Sequence, residues 1–303
     1  MAYRNLCATV LRESRTLDRL GLKAAAAAKR GYSRVAGAPS EDDEKSTHFG
    51  FQTVKESEKT QAVYNVFENV ANSYDLMNDA MSMGIHRIWK DIFVQELGPT
   101  HGTRLLDSAG GTGDITFRYI NYLRNTPNPR NVRSHVTVCD INQHMLDVGR
   151  KRAGSLDLSG NSNCDIAWRQ EDAEKLSLPD DSFSAYTIAF GVRNVTRIDK
   201  VLVVLSEAYR VLQPGGRFLC LEFSHVENKP LQWLYDQYSF QIIPVMGQLI
   251  VGQWKAYQYL VESIRKFPKQ EDFKDMIEFA GFRNVTYQNL TFGMVAIHSG
   301  FKL

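Results

Sequence analysis

The sequence predicts an α/β fold in which a mostly parallel sheet of seven strands is covered by helices on both faces, a three-layer sandwich. Two observations carry the prediction. From about residue 103 onward, short β-rich runs alternate with stretches whose apolar residues recur at helical spacing, and parallel strands joined by crossover helices satisfy that alternation. The first run, TRLLDSAGGTGD (Thr103 to Asp114), ends in a glycine cluster and leads directly into the helical pattern ITFRYINYL. That is a strand, a tight turn and a helix.

The elements follow in chain order. Through Arg34 the chain carries Arg4, Arg12, Arg15, Arg19, Lys23, Lys29, Arg30 and Arg34 against Glu13 and Asp18, with an alanine run from Ala24 to Ala28. Such a basic, acid-poor, potentially amphipathic stretch reads as a mitochondrial transit peptide. RGYS (Arg30 to Ser33) suits matrix processing after Tyr32, which assigns residues 1–32 to the leader; a basic arm without targeting function is the alternative. Residues 33–58, with Pro39 and the acidic run Glu41 to Glu44, read as a solvated linker. From Lys59 to Tyr74, Val63, Val66, Phe67, Val70 and Tyr74 recur at steps of three and four, one helical stripe. YDLMNDAMSMGIHRIW (Tyr74 to Trp89) follows, a methionine-rich run that fits either a buried helix face or the wall of an apolar pocket.

HVTVCD (His135 to Asp140) is the second strand and NQHMLDVGRKRA the helix behind it. CDIAWRQED gives a third strand and DSFSAYTIAFGV a fourth, and SEAYRVLQPGG reads as a helix closed by Pro214, Gly215 and Gly216. RFLCLEFS (Arg217 to Ser224) is the fifth strand. Leu231 to Leu260, rich in Trp, Tyr, Phe, Ile and Val, interrupts the pattern. EDFKDMIEFAGF is a helix stopped by Gly281, and RNVTYQNL and GMVAIHSGF form a last pair of strands joined by a short turn.

Composition excludes several function classes. Thirty-six basic against 34 acidic residues, without a basic stripe in the body of the chain, do not suit a nucleic-acid binder. No apolar run approaches the ~18 residues needed to span a bilayer. Cys7, Cys139, Cys164 and Cys220 contain no CxxC pair and the seven His are scattered, so no metal site is expected. Cys139 and Cys220, in apolar strand-like runs, read as small hydrophobes in a reducing compartment.

The glycine turn has the chemistry of a ligand loop. Gly110, Gly111 and Gly113 allow close backbone approach, yet no GK[ST] follows for a triphosphate and no third glycine completes GxGxxG. Asp140, ending the second strand, can accept from two ribose hydroxyls, and Asp172, with Ala173 after the third, from an adenine amino group. Together these describe S-adenosylmethionine. As structural alternatives, Asp140 can cap the next helix and Asp172 can close a turn.

LLDSAGGTGD, VCDIN, EDAEKLSLPDDSF and RVLQPGGRFLCLEFS resemble the successive motifs of class I methyltransferases. YDLMNDAMSMGIHRIW and FGVRNV narrow the resemblance to the ubiquinone and menaquinone C-methyltransferases, over roughly Tyr64 to Leu303. The resemblance implies a Rossmann-like sandwich whose last strand is antiparallel, occupying residues 59–303. It implies S-adenosylmethionine held by Asp107, Gly110, Gly111, Gly113, Thr116, Asp140, Ile141, Asp172, Ala173 and Ala189. The acceptor it implies is a polyprenyl benzoquinol methylated at a ring carbon. The segment 59–98 would border the acceptor, with Met77, Met81, Met83 and Trp89 as its contacts, and an insertion at about 225–262 would cap the polyprenyl tail; ordinary core packing or a dimer face are the alternatives for these apolar stretches. Arg193 and Asn194 would orient the quinol oxygen, with Tyr74, Asp75 and His86 as candidates for the proton relay. Expected partners are a ubiquinone-biosynthesis assembly, a second copy of the chain and the matrix face of the inner membrane. A methyltransferase for another aromatic acceptor, or a scaffold that only binds the cofactor, would carry the same cofactor motifs.

Overall fold

The computed structural model describes residues 46–49, 51–55, 58–59, 61–64, 74–156, 163–195 and 198–303. The expected leader 1–32, the acidic run 41–44 and the stripe residues Val66, Phe67 and Val70 lie outside the described residues. Residues 58–59 and 61–64 are helical, in keeping with the start of that stripe.

The linker expectation for 33–58 needs correction at its end. β1 (Ser46–Phe49) and β2 (Gln52–Lys55) form an antiparallel hairpin. The ring of Phe51, at its turn, stacks on Phe240 with centroids 6.1 Å apart, and the Phe51 N–H donates to Glu262 Oε2 at 2.8 Å. Contacts more than 180 residues away along the chain, which composition does not register, thus hold this segment.

Seven strands make the sheet: β3 (Arg104–Ser108), β4 (Ser134–Asp140), β5 (Cys164–Gln170), β6 (Phe183–Ala189), β7 (Leu212–Phe223), β8 (Arg283–Leu290) and β9 (Val295–Phe301), in the order β5-β4-β3-β6-β7-β9-β8. β3 is parallel to both β4 and β6, and β9 runs antiparallel between β7 and β8. The last strand is antiparallel as expected. Strand order reverses around β3, so a crevice opens at the carboxyl ends of β3 and β6.

The core follows from the two-residue period of buried strands. Leu105, Leu219 and Leu221 point into one apolar layer, with Trp89, Phe93 and Ile120 from α2 (Ile85–Leu97) and α3 (Asp114–Arg124). Leu106, Phe218 and Cys220 point into the other, with Val204 and Leu205 of α5 (Ile198–Val211) and Phe273 and Ile277 of α9 (Gln270–Phe279). Cys139 and Cys220 are buried hydrophobes, as read. α4 (Gln143–Ser155) follows β4.

α5 ends at Val211, not at Pro214 to Gly216. Leu212 already pairs with Phe183, the register then slips, and Gly215 turns at φ +80°. Proline disfavours helical geometry in the residue before it, so the helix stops early and the PGG segment becomes a bulge inside β7.

The insertion is a fully helical layer: α6 (Lys229–Gln237), a π turn (Tyr238–Ile242), α7 (Ile243–Val251) and α8 (Trp254–Lys266). With α1 (Tyr74–Ser82) it forms a third apolar cluster around Met77, Ile243, Tyr257 and Val261. Met77 is fully buried there. It is therefore a packing residue of the helical layer, which corrects its expected place in the acceptor wall.

Candidate active site

At the carboxyl ends of β3, β4 and β6 lies a cavity of about 190 Å³ whose walls include Asp107, Gly110, Gly111, Asp140, Ile141, Asp172, Ala173 and Ala189. Eight of the ten expected cofactor residues are thus brought together. Asp140 organises the glycine turn: Oδ2 accepts from the Gly111 N–H at 2.9 Å and Oδ1 from the Asn142 N–H at 2.8 Å. Burial pushes its carboxyl up to about 6, against the pull of those two N–H groups. It is not the helix cap. Asn142 caps α4, its side chain accepting from the Met145 N–H, which leaves Asp140 facing the cavity. Asp172 closes a turn, Oδ1 accepting the Glu174 N–H at 2.9 Å, and also lines the cavity, so the turn role does not take it away from a ligand.

Gly113 and Thr116 are the corrections. Gly113 lies behind the cavity, where a Cβ would come within 2.7 Å of the Trp168 ring, at φ +81°. It serves the close packing of α3 on its neighbours. Thr116 is fully buried and donates to Asp107 Oδ2 at 2.7 Å, while Thr187 donates to Oδ1 at 3.0 Å. Asp107 is thereby fixed from below, with burial raising its carboxyl to about 6. Thr116 supports the loop without touching the cavity.

The two central strands end in strain. Ala109 at φ +49° and Phe190 at φ +56° both adopt the left-handed region that non-glycine residues avoid. Their loops meet closely: a Cβ on Gly191 would sit 2.6 Å from Ala109 Cβ. Sequence patterns do not register this contact, because it depends on the parallel pairing of β3 with β6, Leu105 standing opposite Ala185.

Buried Lys90 and half-buried Asp114 pair at 2.6 Å on the cavity wall. Burial favours the Asp114 acid form, but the Lys90 and Arg118 charges outweigh it and hold the carboxyl below its ordinary range. Lys59, Tyr64, Asn142 and Met145 complete walls that sequence reading had not assigned, and the Asn142 amide donates to the Tyr64 carbonyl at 3.2 Å. Glu171 and Glu174 add to the acidic side. A cavity with this carboxylate excess suits a cationic ligand.

A second cavity, about 510 Å³, adjoins the first through shared walls at Lys90, Phe190 and Asn194. Met81, Met83, His86 and Trp89 form one side and Tyr235, Tyr238, Tyr257 and Leu260 the other. The Tyr74 to Trp89 run is therefore pocket wall in part, and it is broken into α1 and α2 by Met83 (φ +50°) and Gly84 (φ +78°). Trp89 is held by its Nε1–H, which donates to Thr291 Oγ1 at 2.8 Å, and by an edge contact with Phe223.

Polar groups in this apolar cavity are few and fixed. Arg193, on the 3₁₀ turn Val192–Asn194, pairs with Glu222 at 2.9 Å and donates to the Phe190 carbonyl. Both side chains are almost fully buried, and burial pushes Glu222 up while Arg193 pulls it down. The Arg193 charge is thus already committed to Glu222, a residue the sequence reading passed over as part of a strand. Its Nε is buried with no hydrogen-bond partner among the described residues. Asn194 Oδ1 accepts from the Tyr259 hydroxyl at 3.2 Å, another unanticipated contact.

His86 Nε2 lies 2.9 Å from Asp79 Oδ1. Arg87 and His86 keep Asp79 well below the usual carboxylate range. Burial lowers the His86 pKa and favours the neutral ring, and the tautomer that donates from Nε2 to Asp79 leaves Nδ1 as an acceptor. Nδ1 is buried with no partner among the described residues. The side chains of Tyr74 and Asp75, which open α1, lie outside the described residues.

Comparison with known proteins agrees with this geometry. A family model described as the ubiE/COQ5 methyltransferase family matches residues 52–302. The chain is 69% identical over 283 residues to the mitochondrial 2-methoxy-6-polyprenyl-1,4-benzoquinol methylase of Drosophila melanogaster, covering 92% of this chain and 93% of that one. It is 54% identical over 283 residues to the protein of the same name from Homo sapiens, covering 85% and 84%. Among solved structures, a SAM-dependent methyltransferase of Thermotoga maritima shares the fold at 18% identity, with a TM-score of 0.51 over 80% of this chain and 100% of that one. The carboxylate-lined cleft, the aromatic cavity beside it and the match along residues 52–302 converge: this chain belongs to the ubiE/COQ5 methyltransferase family.

Proposed function

We propose that the protein transfers the methyl group of S-adenosylmethionine to a ring carbon of 2-methoxy-6-polyprenyl-1,4-benzoquinol, giving the 5-methyl product, in ubiquinone synthesis. One observation carries the reading: the polar cleft and the larger apolar cavity share the walls formed by Lys90, Phe190 and Asn194, so two ligands of opposite character would meet there.

The residues suit the cofactor. Gly110 and Gly111 line the cleft where its amino-acid end would lie, and a Cβ on Gly110 would come within 2.6 Å of Val138, so the loop packs this closely on β4 only with glycine there. Asp140 suits the ribose hydroxyls, and Asp172 with Ala173 the adenine. When bound, S-adenosylmethionine supplies a methyl already activated by its sulfonium. The chain must therefore align the acceptor, exclude water and take a proton. Trp89, Phe190 and Tyr257 flank the acceptor ring and keep it dry. His86 Nδ1 accepts the quinol hydroxyl proton, which raises electron density on the adjacent ring carbon, and Asp79 stabilises the imidazolium that results. As the methyl bonds to that carbon its bond to the sulfonium sulfur would break, leaving S-adenosylhomocysteine; His86 then returns its proton to the ring oxygen while the ring-carbon proton passes to water, which restores the aromatic quinol and releases one proton. Arg193 and Asn194 orient the quinol oxygen, Arg193 from a position fixed by Glu222. Tyr74 and Asp75 stay as alternative relay groups.

The reading extends to location. Residues 1–32 act as a matrix-targeting leader, and the mature protein lies peripherally on the matrix face of the inner membrane. There it works with other quinone-biosynthesis proteins and a second copy of itself. The decisive assay is transfer of labelled methyl from S-adenosylmethionine to quinols with and without a polyprenyl tail. Carbon methylation of the 2-methoxy-6-polyprenyl quinol is expected. Transfer only to unrelated aromatics would make it a different methyltransferase, and cofactor binding without turnover on any quinol would make it a scaffold.

A further inference from the structure

The run from Lys229 to Val251 is helical throughout, α6 passing through the π turn into α7. Its inner side is committed to the body of the protein: Ser239, Ile243, Pro244 and Gly247 are buried, and a Cβ on Gly247 would come within 2.2 Å of the Tyr257 ring. Its outer side is apolar and uncovered. Trp233 is 64% exposed, Leu249 80%, and Leu234, Ile242, Val245 and Ile250 are exposed with them. Ile242, Val245 and Leu249 stand at i, i+3 and i+7, one stripe, and from Gln237 to Val251 the other exposed residues are three glutamines and Ile250. Scattered apolar residues would mean little, but a contiguous stripe of this kind marks a contact surface.

Three features say what the surface meets. The first is its continuity with the acceptor cavity. Leu234 and Met83, 58% and 88% exposed, also line that cavity, so its mouth opens on this face. The second is charge. Among the exposed residues from Pro230 to Gln258 none is acidic and Asp236 is paired with Arg265, whereas Lys229 and Lys255 flank the stripe, with the exposed Glu227 lying just before Lys229. The third is the tryptophans. Trp233 and the 42%-exposed Trp254 stand near the two ends of the stripe, where an indole can sit between hydrocarbon and headgroups. No helix among the described residues is long and apolar enough to cross a membrane. A face that is apolar in the middle, basic at its margins and edged by tryptophan lies on a bilayer without entering deeply.

We infer that the outer face of α6 and α7 docks on the surface of an anionic lipid bilayer and opens the acceptor cavity directly to the lipid phase. The inference rests on the reading of the acceptor as a polyprenyl quinol. It adds how such a substrate enters: the tail passes between Leu234 and Met83 without crossing water.

The test uses the full chain and a triple variant, Trp233→Gln, Leu249→Gln and Ile250→Gln, none of which lines either cavity. Both proteins carry the same N-terminal arm, so the difference between them reads this face alone. Co-sedimentation with phosphatidylcholine vesicles, with and without phosphatidylglycerol, is expected to show binding weaker by about tenfold or more for the variant. Turnover of a tailless quinol in free solution should be unchanged, while turnover of a polyprenyl quinol presented in the vesicles should fall in step with binding. Equal vesicle binding by the two proteins overturns the inference. So does wild-type self-association in sedimentation that the variant loses without any vesicle binding, which makes the face an interface between copies. Absence of methyl transfer to either quinol by the wild type would overturn the functional reading instead, leaving vesicle binding to decide the surface separately.

Discussion

The two cavities that meet at Phe190 are built on opposite principles. The cofactor cleft draws on loops that follow consecutive parallel strands, and each contribution is a compact motif: Gly110 and Gly111 after β3, Asp140 after β4, Asp172 and Ala173 after β5. The acceptor cavity is assembled from α1 and α2, the turn after β6, the end of β7, three inserted helices and Met294 near the start of β9. In the cleft, Asp140 is fixed by the backbone N–H groups of Gly111 and Asn142 and Asp107 by the hydroxyls of Thr116 and, one strand across, Thr187. In the cavity, the few polar groups depend on long-range partners, as Arg193 depends on Glu222 and Asn194 on Tyr259. Damage to the cleft should therefore be local and affect one ligand. Damage to the cavity should spread into chemistry or folding.

The sharpest division is at His86. If Nδ1 takes the quinol proton, His86→Ala should lower the turnover number by roughly a hundred- to ten-thousand-fold. Affinity for S-adenosylmethionine should stay near normal, because His86 lines only the acceptor cavity. An unchanged turnover number in a folded variant would pass the role to Tyr74 or Asp75. A parallel loss of cofactor affinity would erase the proposed separation of the two cavities.

Arg193 tests the long-range side of the contrast. Removing one partner of so buried a pair leaves the other charge uncompensated, and Arg193→Ala should cost about 3 to 5 kcal/mol of folding stability. Combining Arg193→Met with Glu222→Leu should recover most of that loss, since neither charge is then stranded. Urea unfolding of the three proteins checks this. Wild-type stability in Arg193→Ala would mean that the pair does not hold the turn after β6, and the loss of activity in that variant could then be read as purely catalytic.

The smallest effect expected is at Asp140. Asp140→Ala should weaken S-adenosylmethionine binding by about 1.5 to 3 kcal/mol, with quinol affinity unchanged. The pH dependence follows from its carboxyl being pushed up to about 6. The folded value lies above that of the unfolded chain, about 3.9, so its contribution to stability is full below about pH 4 and is lost as pH rises through 6. Cofactor binding runs the other way, because the ionised carboxylate is the better acceptor for two hydroxyls. Calorimetry should show affinity falling as pH drops below about 6 in the wild type and not in Asp140→Ala. A flat profile in the wild type would remove Asp140 from the ribose site.

The sequence by itself determined the alternation of strands and helices and the carboxyl-end motifs of the cleft. Both rest on short-range physics: hydrophobic period, glycine at tight turns, and carboxylates placed by the strand that precedes them. It also marked the Tyr74 to Trp89 run as pocket or core, and the tertiary structure divided it, burying Met77 among the inserted helices while turning Met81 and Met83 to the cavity. The hairpin at Ser46–Lys55 escaped composition because it is held by Phe240 and Glu262. Thr116 and Gly113 were placed at the ligand by their position in the motif, yet one braces Asp107 from below and the other packs on Trp168. Glu222 read as one more residue of a strand until the end of β7 came beside the turn after β6 and buried it against Arg193. Which side chains face a ligand and which support those that do is decided where segments distant in sequence become neighbours, since burial and pairing belong to the packed whole.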